Sequence, residues 1–237
     1  MSSGTPWANY WNSQNIWTDS ALWRRQMQVF VRLSDQVLGY SKDDNVLDFG
    51  CGSGHFAELA ADVVGTIVCA DMSEHYVSLC QKKFATAKNV TVVRVAPDMS
   101  DLAVVGEGFT KVLCFSVLHY FAELDHVAAF VRGMQRCCVP GAKLLIADIG
   151  SEQRTWKNRF DALTFSLREG MLLPVVSMIY KTWFGDSQYR NVKSEQRYLD
   201  IPDGYFDTLG QRLGVRATYL DTQFTINTNY QNVLIEF

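Results

Sequence analysis

Three glycines at alternate positions, Gly50, Gly52 and Gly54, directly follow a short apolar run that contains Asp48. Glycine lets a backbone turn sharply and lets a ligand approach without a Cβ in the way. The loop carries no lysine or arginine for a diphosphate, and His55 stands where a dinucleotide-binding G-x-G-x-x-G loop has its third glycine. Because the Asp48 carboxylate suits a cationic amine, the spacing favours a ligand with an amino group over a dinucleotide.

Further side chains that could bind or catalyse follow other apolar runs. Asp71 ends the run at residues 66–71, about 20 residues beyond the loop, which is where nucleotide-binding folds place an acid for both hydroxyls of a ribose. His119 lies just past the run at 111–116, and an imidazole with an ordinary pKa of about 6.5 could accept a proton from a hydroxyl or amine. Asp148 is a second candidate base or substrate contact.

An alternation of strands and helices would position these side chains. A strand, a glycine turn and a helix open a βαβ unit, whose ligands bind at the carboxyl ends of the strands. Strands are predicted at 46–49, 66–72, 89–95, 111–116, 142–148, 215–220 and 232–237, and helices at 20–39, 54–63, 73–86, 123–138 and 202–213.

Composition limits the classes of partner. The chain has 237 residues, of which 48% are hydrophobic and 20% charged, and this fits one globular α/β domain with additions. A net charge of -3 gives no basic field for nucleic acid. The six cysteines are scattered, without zinc spacing, so we expect reduced thiols and no metal. No apolar run reaches the roughly 18–20 residues that span a bilayer, and no signal peptide opens the chain, so we expect a cytoplasmic protein without stable membrane insertion.

The segment at 46–54, Val-Leu-Asp-Phe-Gly-Cys-Gly-Ser-Gly, resembles motif I of the class I S-adenosylmethionine (SAM)-dependent methyltransferases. The resemblance implies an α/β fold, a doubly wound, mostly parallel, Rossmann-like sheet of seven strands with one reversed strand at the edge. It also implies an N-terminal lid and helix at 1–40, a SAM-binding domain at 41–237, and within that domain an inserted helical substrate cap at 149–200.

The same resemblance implies roles for individual residues. Asp71 would bind the ribose of SAM, Met72 would lie against the adenine, and Ser116 would line the methionine part. Asp98 would bind the adenine amino group beside Met99, although Asp98 could equally cap a helix. The candidate cofactor-binding set is Asp48, Gly50, Gly52, Gly54, Asp71, Met72, Asp98, Met99 and Ser116.

Two segments are candidates for the acceptor site. Residues 1–18 are rich in aromatic side chains, which predicts a lid over the site. Residues 171–184 are almost wholly apolar and could form a cap helix, a substrate wall, a dimer face or an interfacial anchor. The candidate acceptor contacts are Trp11, Trp17, Tyr120 and Tyr180.

The resemblance implies methyl transfer from SAM to an oxygen or nitrogen of a small metabolite by in-line displacement, leaving S-adenosylhomocysteine (SAH). The acceptor would be a natural-product, aromatic or sugar-like molecule, and the protein a monomer or homodimer. Two alternatives stay open, namely a C-methyltransferase for a lipid-like or isoprenoid acceptor and a non-catalytic SAM-binding partner subunit. A dehydrogenase would need the absent third glycine, and a nucleic-acid methyltransferase would need a basic groove.

Overall fold

The computed structural model describes residues 6–13, 21–96, 102–150, 156–176, 198–226 and 230–237. Seven strands form one sheet in the order β3-β2-β1-β4-β5-β7-β6. The strands are β1 (Asn45–Phe49), β2 (Thr66–Asp71), β3 (Val90–Arg94), β4 (Phe109–Phe115), β5 (Cys138–Gly150), β6 (Arg216–Tyr219) and β7 (Tyr230–Glu236). The α-helices are α1 (Pro6–Trp11), α2 (Ala21–Leu38), α3 (His55–Ala60), α4 (Glu74–Lys83), α5 (Leu124–Cys137), α6 (Trp156–Arg168) and α7 (Tyr205–Leu213).

The sheet confirms the predicted doubly wound, mostly parallel fold but corrects the place of the reversed strand. β7 runs antiparallel to both β5 and β6 and lies between them, so β6 is the edge strand. An inserted strand gains a ladder of hydrogen bonds on each side, whereas an edge strand has only one. The order of the last two strands depends on these tertiary contacts, which the sequence pattern does not encode.

Several element boundaries also differ from prediction. β5 begins at Cys138, ahead of the Pro140-Gly141 turn, because Cys138 already pairs with Phe109 of β4. The helix predicted at 202–213 begins only at Tyr205, because Gly204 takes a left-handed φ of 74°. The helices predicted at 54–63 and 73–86 end earlier, at Ala60 and Lys83.

Apolar side chains bury both faces of the sheet. On one face α5 and α7 pack against it through Phe130, Met134 and Phe206. On the other face α2 and α3 contribute Phe30 and Phe56. Because the central strands are covered on both sides, their apolar residues run almost without interruption, as in parallel sheets generally. The carboxyl ends of β1, β2, β4 and β5 meet at one edge of this packed layer.

The described parts of the predicted lid and cap are both tied to the domain. In α1 the Trp11 carbonyl accepts a hydrogen bond of 2.8 Å from the Ser73 hydroxyl at the start of α4. The buried Glu169, which follows α6, forms an ion pair of 2.7 Å with Arg32 of α2. Among the described helices, none has the length and hydropathy of a membrane span.

Candidate functional site

The glycine loop turns with three left-handed residues, whose φ angles are 78° at Gly50, 52° at Gly52 and 72° at Gly54. A Cβ on Gly50 would lie 2.2 Å from Val117 Cγ2, and one on Gly54 would lie 2.9 Å from Cys80 Sγ. A Cβ on Gly52 would meet nothing within 4 Å. The outer glycines therefore allow close packing of the protein, and Gly52 faces open space where a ligand could approach.

This difference predicts unequal costs of alanine substitution. Gly50→Ala should lower the free energy of unfolding by about 2–4 kcal/mol, because Val117 must move and the left-handed φ is strained. Gly52→Ala meets the φ penalty alone and should cost about 1 kcal/mol. Urea unfolding of the two variants measures the difference, and equal costs would contradict the packing described for Gly50.

Asp71 ends β2 and shapes the glycine loop directly. Its Oδ2 accepts a 2.8 Å hydrogen bond from the Gly52 N–H, and its Oδ1 accepts one of 2.8 Å from the Ser73 N–H. Burial raises the pKa of Asp71 above its ordinary value, although these N–H groups oppose the shift. Each carboxylate oxygen has a second lone pair, so Asp71 can still accept hydroxyl groups of a ligand.

Asp48 lies in β1 beneath the loop and is only 6% exposed. Burial, and then the negative charge of Asp71, raise the pKa of Asp48 from 3.8 to about 7. Its Oδ2 is buried and has no hydrogen-bond partner among the residues that the structure describes. A buried carboxylate oxygen without a partner is costly, and a cationic ligand group would relieve that cost.

His119 belongs to a short 3-10 helix, Leu118–Tyr120, that continues from the end of β4. It is 5% exposed, and its ring centroid lies 4.1 Å from that of Tyr120 and 4.6 Å from that of Tyr198. The Trp11 ring of α1 lies 5.6 Å from the Tyr120 ring. The imidazole at the carboxyl edge of the sheet thus packs against two tyrosine rings, and Trp11 extends the aromatic cluster through its contact with Tyr120.

Ser116 and Asp148 adopt left-handed backbone conformations that are rare outside glycine, with φ angles of 57° and 62°. Ser116 follows the end of β4, and Asp148 follows the last residue of β5 that pairs with β4, Ala147. The Ser116 hydroxyl donates a hydrogen bond to Asp148 Oδ2. Such conformations cluster at functional sites because the surrounding structure must enforce them.

The structure brings most of the predicted site residues to one edge of the sheet. Asp48, Asp71, Ser116, His119 and Asp148 all lie at or just beyond the carboxyl ends of strands, as does the half-buried Met72. Trp11 and Tyr120 contact each other beside them. Four predicted residues lie outside the described parts of the chain, namely Trp17, Asp98, Met99 and Tyr180.

Several residues at this edge were not predicted from the sequence. Tyr198 packs on His119, Ser73 links Asp71 to α1, and Thr225 and Asn232 both hydrogen-bond to Asp148. Ser73 carries a recognisable signal, since it follows a predicted strand and stands at a helix N-cap. Tyr198 and Thr225 lie outside the predicted strands and helices, and Asn232 begins the strand predicted at 232–237, whose pattern does not predict a contact with Asp148.

The chemistry of this edge fits a nucleoside that carries an amino group. Asp48 Oδ2, which has no hydrogen-bond partner within the described part of the chain, matches an ammonium group, and Asp71 can receive two neighbouring hydroxyls. Gly52 leaves room for the ligand against the backbone. His119 lies beyond these groups, where an acceptor could lose a proton.

Comparison with known proteins shows that part of this chain is similar to methyltransferases. Residues 46–141 match the family described as a methyltransferase domain. A ubiquinone biosynthesis O-methyltransferase of Mesorhizobium japonicum is 35% identical over 104 residues, which cover 44% of this chain and 40% of that protein. A chondramide synthase of Chondromyces crocatus is 29% identical over 144 residues, covering 59% of this chain and 4% of the synthase. The chain therefore spans less than half the length of these curated relatives.

Solved structures share the whole architecture. The N-methyltransferase NodS from Bradyrhizobium japonicum, in complex with SAH, has a TM-score of 0.55 at 13% identity, over 97% of this chain and 95% of that one. A SAM-dependent methyltransferase from Aquifex aeolicus has a TM-score of 0.56 at 14% identity, over 99% of each chain. At such low identity these likenesses establish the fold.

Proposed function

We propose that this chain, whose residues 46–141 match a methyltransferase domain, is a class I SAM-dependent methyltransferase that transfers a methyl group from SAM to a small molecule. The observation that carries the proposal is the buried Asp48 Oδ2, for which the described residues provide no hydrogen-bond partner, beneath a glycine loop that Asp71 shapes. An ammonium group and a ribose diol would satisfy both acids at once, and SAM contains both.

Each residue has a defined task in this proposal. SAM supplies an electrophilic methyl group when bound. Asp48 holds the ammonium group, and Asp71 accepts the ribose hydroxyls while the N–H groups of Gly52 and Ser73 keep its carboxylate oriented. His119 accepts the proton of the acceptor group, and the aromatic rings around it exclude water.

For the acceptor we propose an oxygen or nitrogen of a planar, aromatic metabolite. The support is the aromatic surroundings of His119, in which Tyr120, Tyr198 and Trp11 present ring faces and edges. The similar ubiquinone biosynthesis O-methyltransferase and the NodS N-methyltransferase are consistent with either atom. We further propose that the protein acts in the cytoplasm as a monomer or homodimer.

Calorimetric titration with SAM and SAH, with NAD as the control ligand, tests the cofactor. We expect binding of SAM and SAH with a Kd on the order of micromolar and no binding of NAD. Binding of NAD alone, or of none of the three, would contradict the proposal. Binding of SAM without turnover on a panel of phenols, catechols and amines would favour the non-catalytic partner subunit.

A further inference from the structure

A β-bulge aims the carboxylate of Asp148. In the ladder between β5 and β7, Ile146 pairs with Val233 and Ile149 pairs with Gln231, so two residues of β5 face Asn232 alone. The Asn232 side-chain oxygen accepts a 2.8 Å hydrogen bond from the Asp148 N–H and replaces the lost ladder bond. Bulges of this kind redirect a side chain beside an active site.

The redirected carboxylate lies between two hydroxyl groups. Asp148 Oδ2 accepts the hydroxyl of Ser116 from β4, and Oδ1 accepts the Thr225 hydroxyl at 2.9 Å from the connection between β6 and β7. That connection is fixed in turn by Gln26 of α2, whose amide donates a 2.6 Å hydrogen bond to the Phe224 carbonyl. Through these hydrogen bonds the buried Asp148 links β4, β5 and the connection between β6 and β7.

Ser116 is held by the hydrogen bonds of the Asp148 carboxylate, which together with Thr225 and Asn232 form what we call the Asp148 clamp. Its left-handed φ of 57° ends β4 and turns the chain into Val117 and the 3-10 helix that contains His119. Val117 packs so closely on Gly50 that a Cβ there would lie 2.2 Å from Val117 Cγ2. A shift at Ser116 would therefore move both the wall of the glycine loop and His119.

We propose that Asp148 is a positioning residue, which holds Ser116 in its left-handed conformation and thereby aligns the cofactor loop with His119. The inference rests on the proposed function and differs from a role for Asp148 as the base. A base would act on the acceptor proton alone, whereas a positioning residue also affects the affinity for SAH, a ligand that carries no acceptor.

Substitutions at the two clamped residues test the proposal. Asp148→Asn should raise the Kd for SAH about tenfold, because the Ser116 conformation is no longer enforced. Ser116→Ala should do the same, whereas Ser116→Gly should have a smaller effect, since glycine adopts a left-handed φ without a clamp. In the Ser116→Gly background, Asp148→Asn should change the Kd by less than about twofold.

The pH profile of turnover gives a second readout. Asp148→Asn should lower kcat at every pH and keep the shape of the plot of kcat against pH. Loss of a general base would instead remove the fall of kcat at low pH that protonation of the base causes. Asp221→Asn, an exposed acid in the same connection as Thr225, is the matched control and should bind SAH like the wild type.

The outcomes separate the two proposals. Suppose that the wild type binds SAH. The positioning role alone would then be overturned if Asp148→Asn left the Kd for SAH unchanged. It would also be overturned if Asp148→Asn raised that Kd equally in the wild type and in the Ser116→Gly background. A wild type that binds no SAH would overturn the proposed function and the positioning role with it.

Discussion

Replacing Asp48 by asparagine should make the ligand-free protein more stable while weakening its binding of SAM by at least about 30-fold. The variant loses the charge that would pair with the ammonium group of the ligand, in a buried place where water cannot substitute. It also loses a carboxylate whose ionised form the fold disfavours, because burial and Asp71 raise the pKa of Asp48 to about 7.

The pH dependence of stability has a definite sign. Between pH 3.8 and about 7 the folded protein holds a proton on Asp48 that the unfolded chain has released, so this group makes stability fall as pH rises. The gain in Asp48→Asn should therefore grow across that window and level off above it. At pH 8 we expect a gain on the order of 2–4 kcal/mol, measured by urea unfolding.

The pH dependence of binding follows from the same group. Below pH 7 the wild type must release the Asp48 proton before it can pair with an ammonium, so its Kd for SAM should rise about tenfold per pH unit. Asp48→Asn should bind weakly at every pH. A variant that is less stable than the wild type at pH 8, or that binds SAM equally well, would contradict the role given to Asp48.

Replacing His119 by glutamine should lower kcat on a hydroxyl acceptor by about 10²- to 10⁴-fold, the usual contribution of a general base. Glutamine keeps a polar side chain of similar length between Tyr120 and Tyr198 but cannot take up the proton. Because His119 lies outside the glycine loop, the Kd for SAM should stay within about twofold of the wild type. Single-turnover kinetics and calorimetry measure the two effects separately.

Asp71→Asn is the matched counterpart. Its carboxylate orders Gly52 and Ser73, so the variant should show the opposite split, with a raised Kd for SAM and a smaller change in turnover at saturation. If His119→Gln kept full turnover, or if both variants lost SAM affinity equally, the separation of cofactor and acceptor functions along this edge would be wrong.

Much of this architecture could be predicted because local pattern and tertiary structure agree. The run at 46–49 is apolar, and three glycines then stand where the backbone turns with left-handed φ angles. Asp71 follows a buried run at the carboxyl end of β2, so its place beside the loop follows from the geometry of parallel strands. Such features depend on neighbours close in sequence.

The clamp around Asp148 could not be predicted in this way. Neither Ser116 nor Asp148 favours a left-handed φ as glycine does, so only the folded surroundings impose it. Thr225 reaches Asp148 from a polar connection without strand or helix periodicity, and Asn232 begins a predicted strand whose pattern does not indicate which side chain it will meet. The position of β7 between β5 and β6 has the same origin, since it depends on pairing across the sheet.

The placement of β7 also divides the sheet into regions of different local stability. Among the strands that the structure describes, β6 pairs only with β7, so the β6 amide protons lose the protection of this ladder whenever β7 opens. Opening of β7 therefore opens β6 as well, whereas β6 can separate while β7 stays paired with β5. Asn232 lies in β7 beside the bulge, so an opening of β7 from β5 also releases the Asp148 N–H. Fluctuations of this margin are in this way transmitted to the residues that align the two halves of the site.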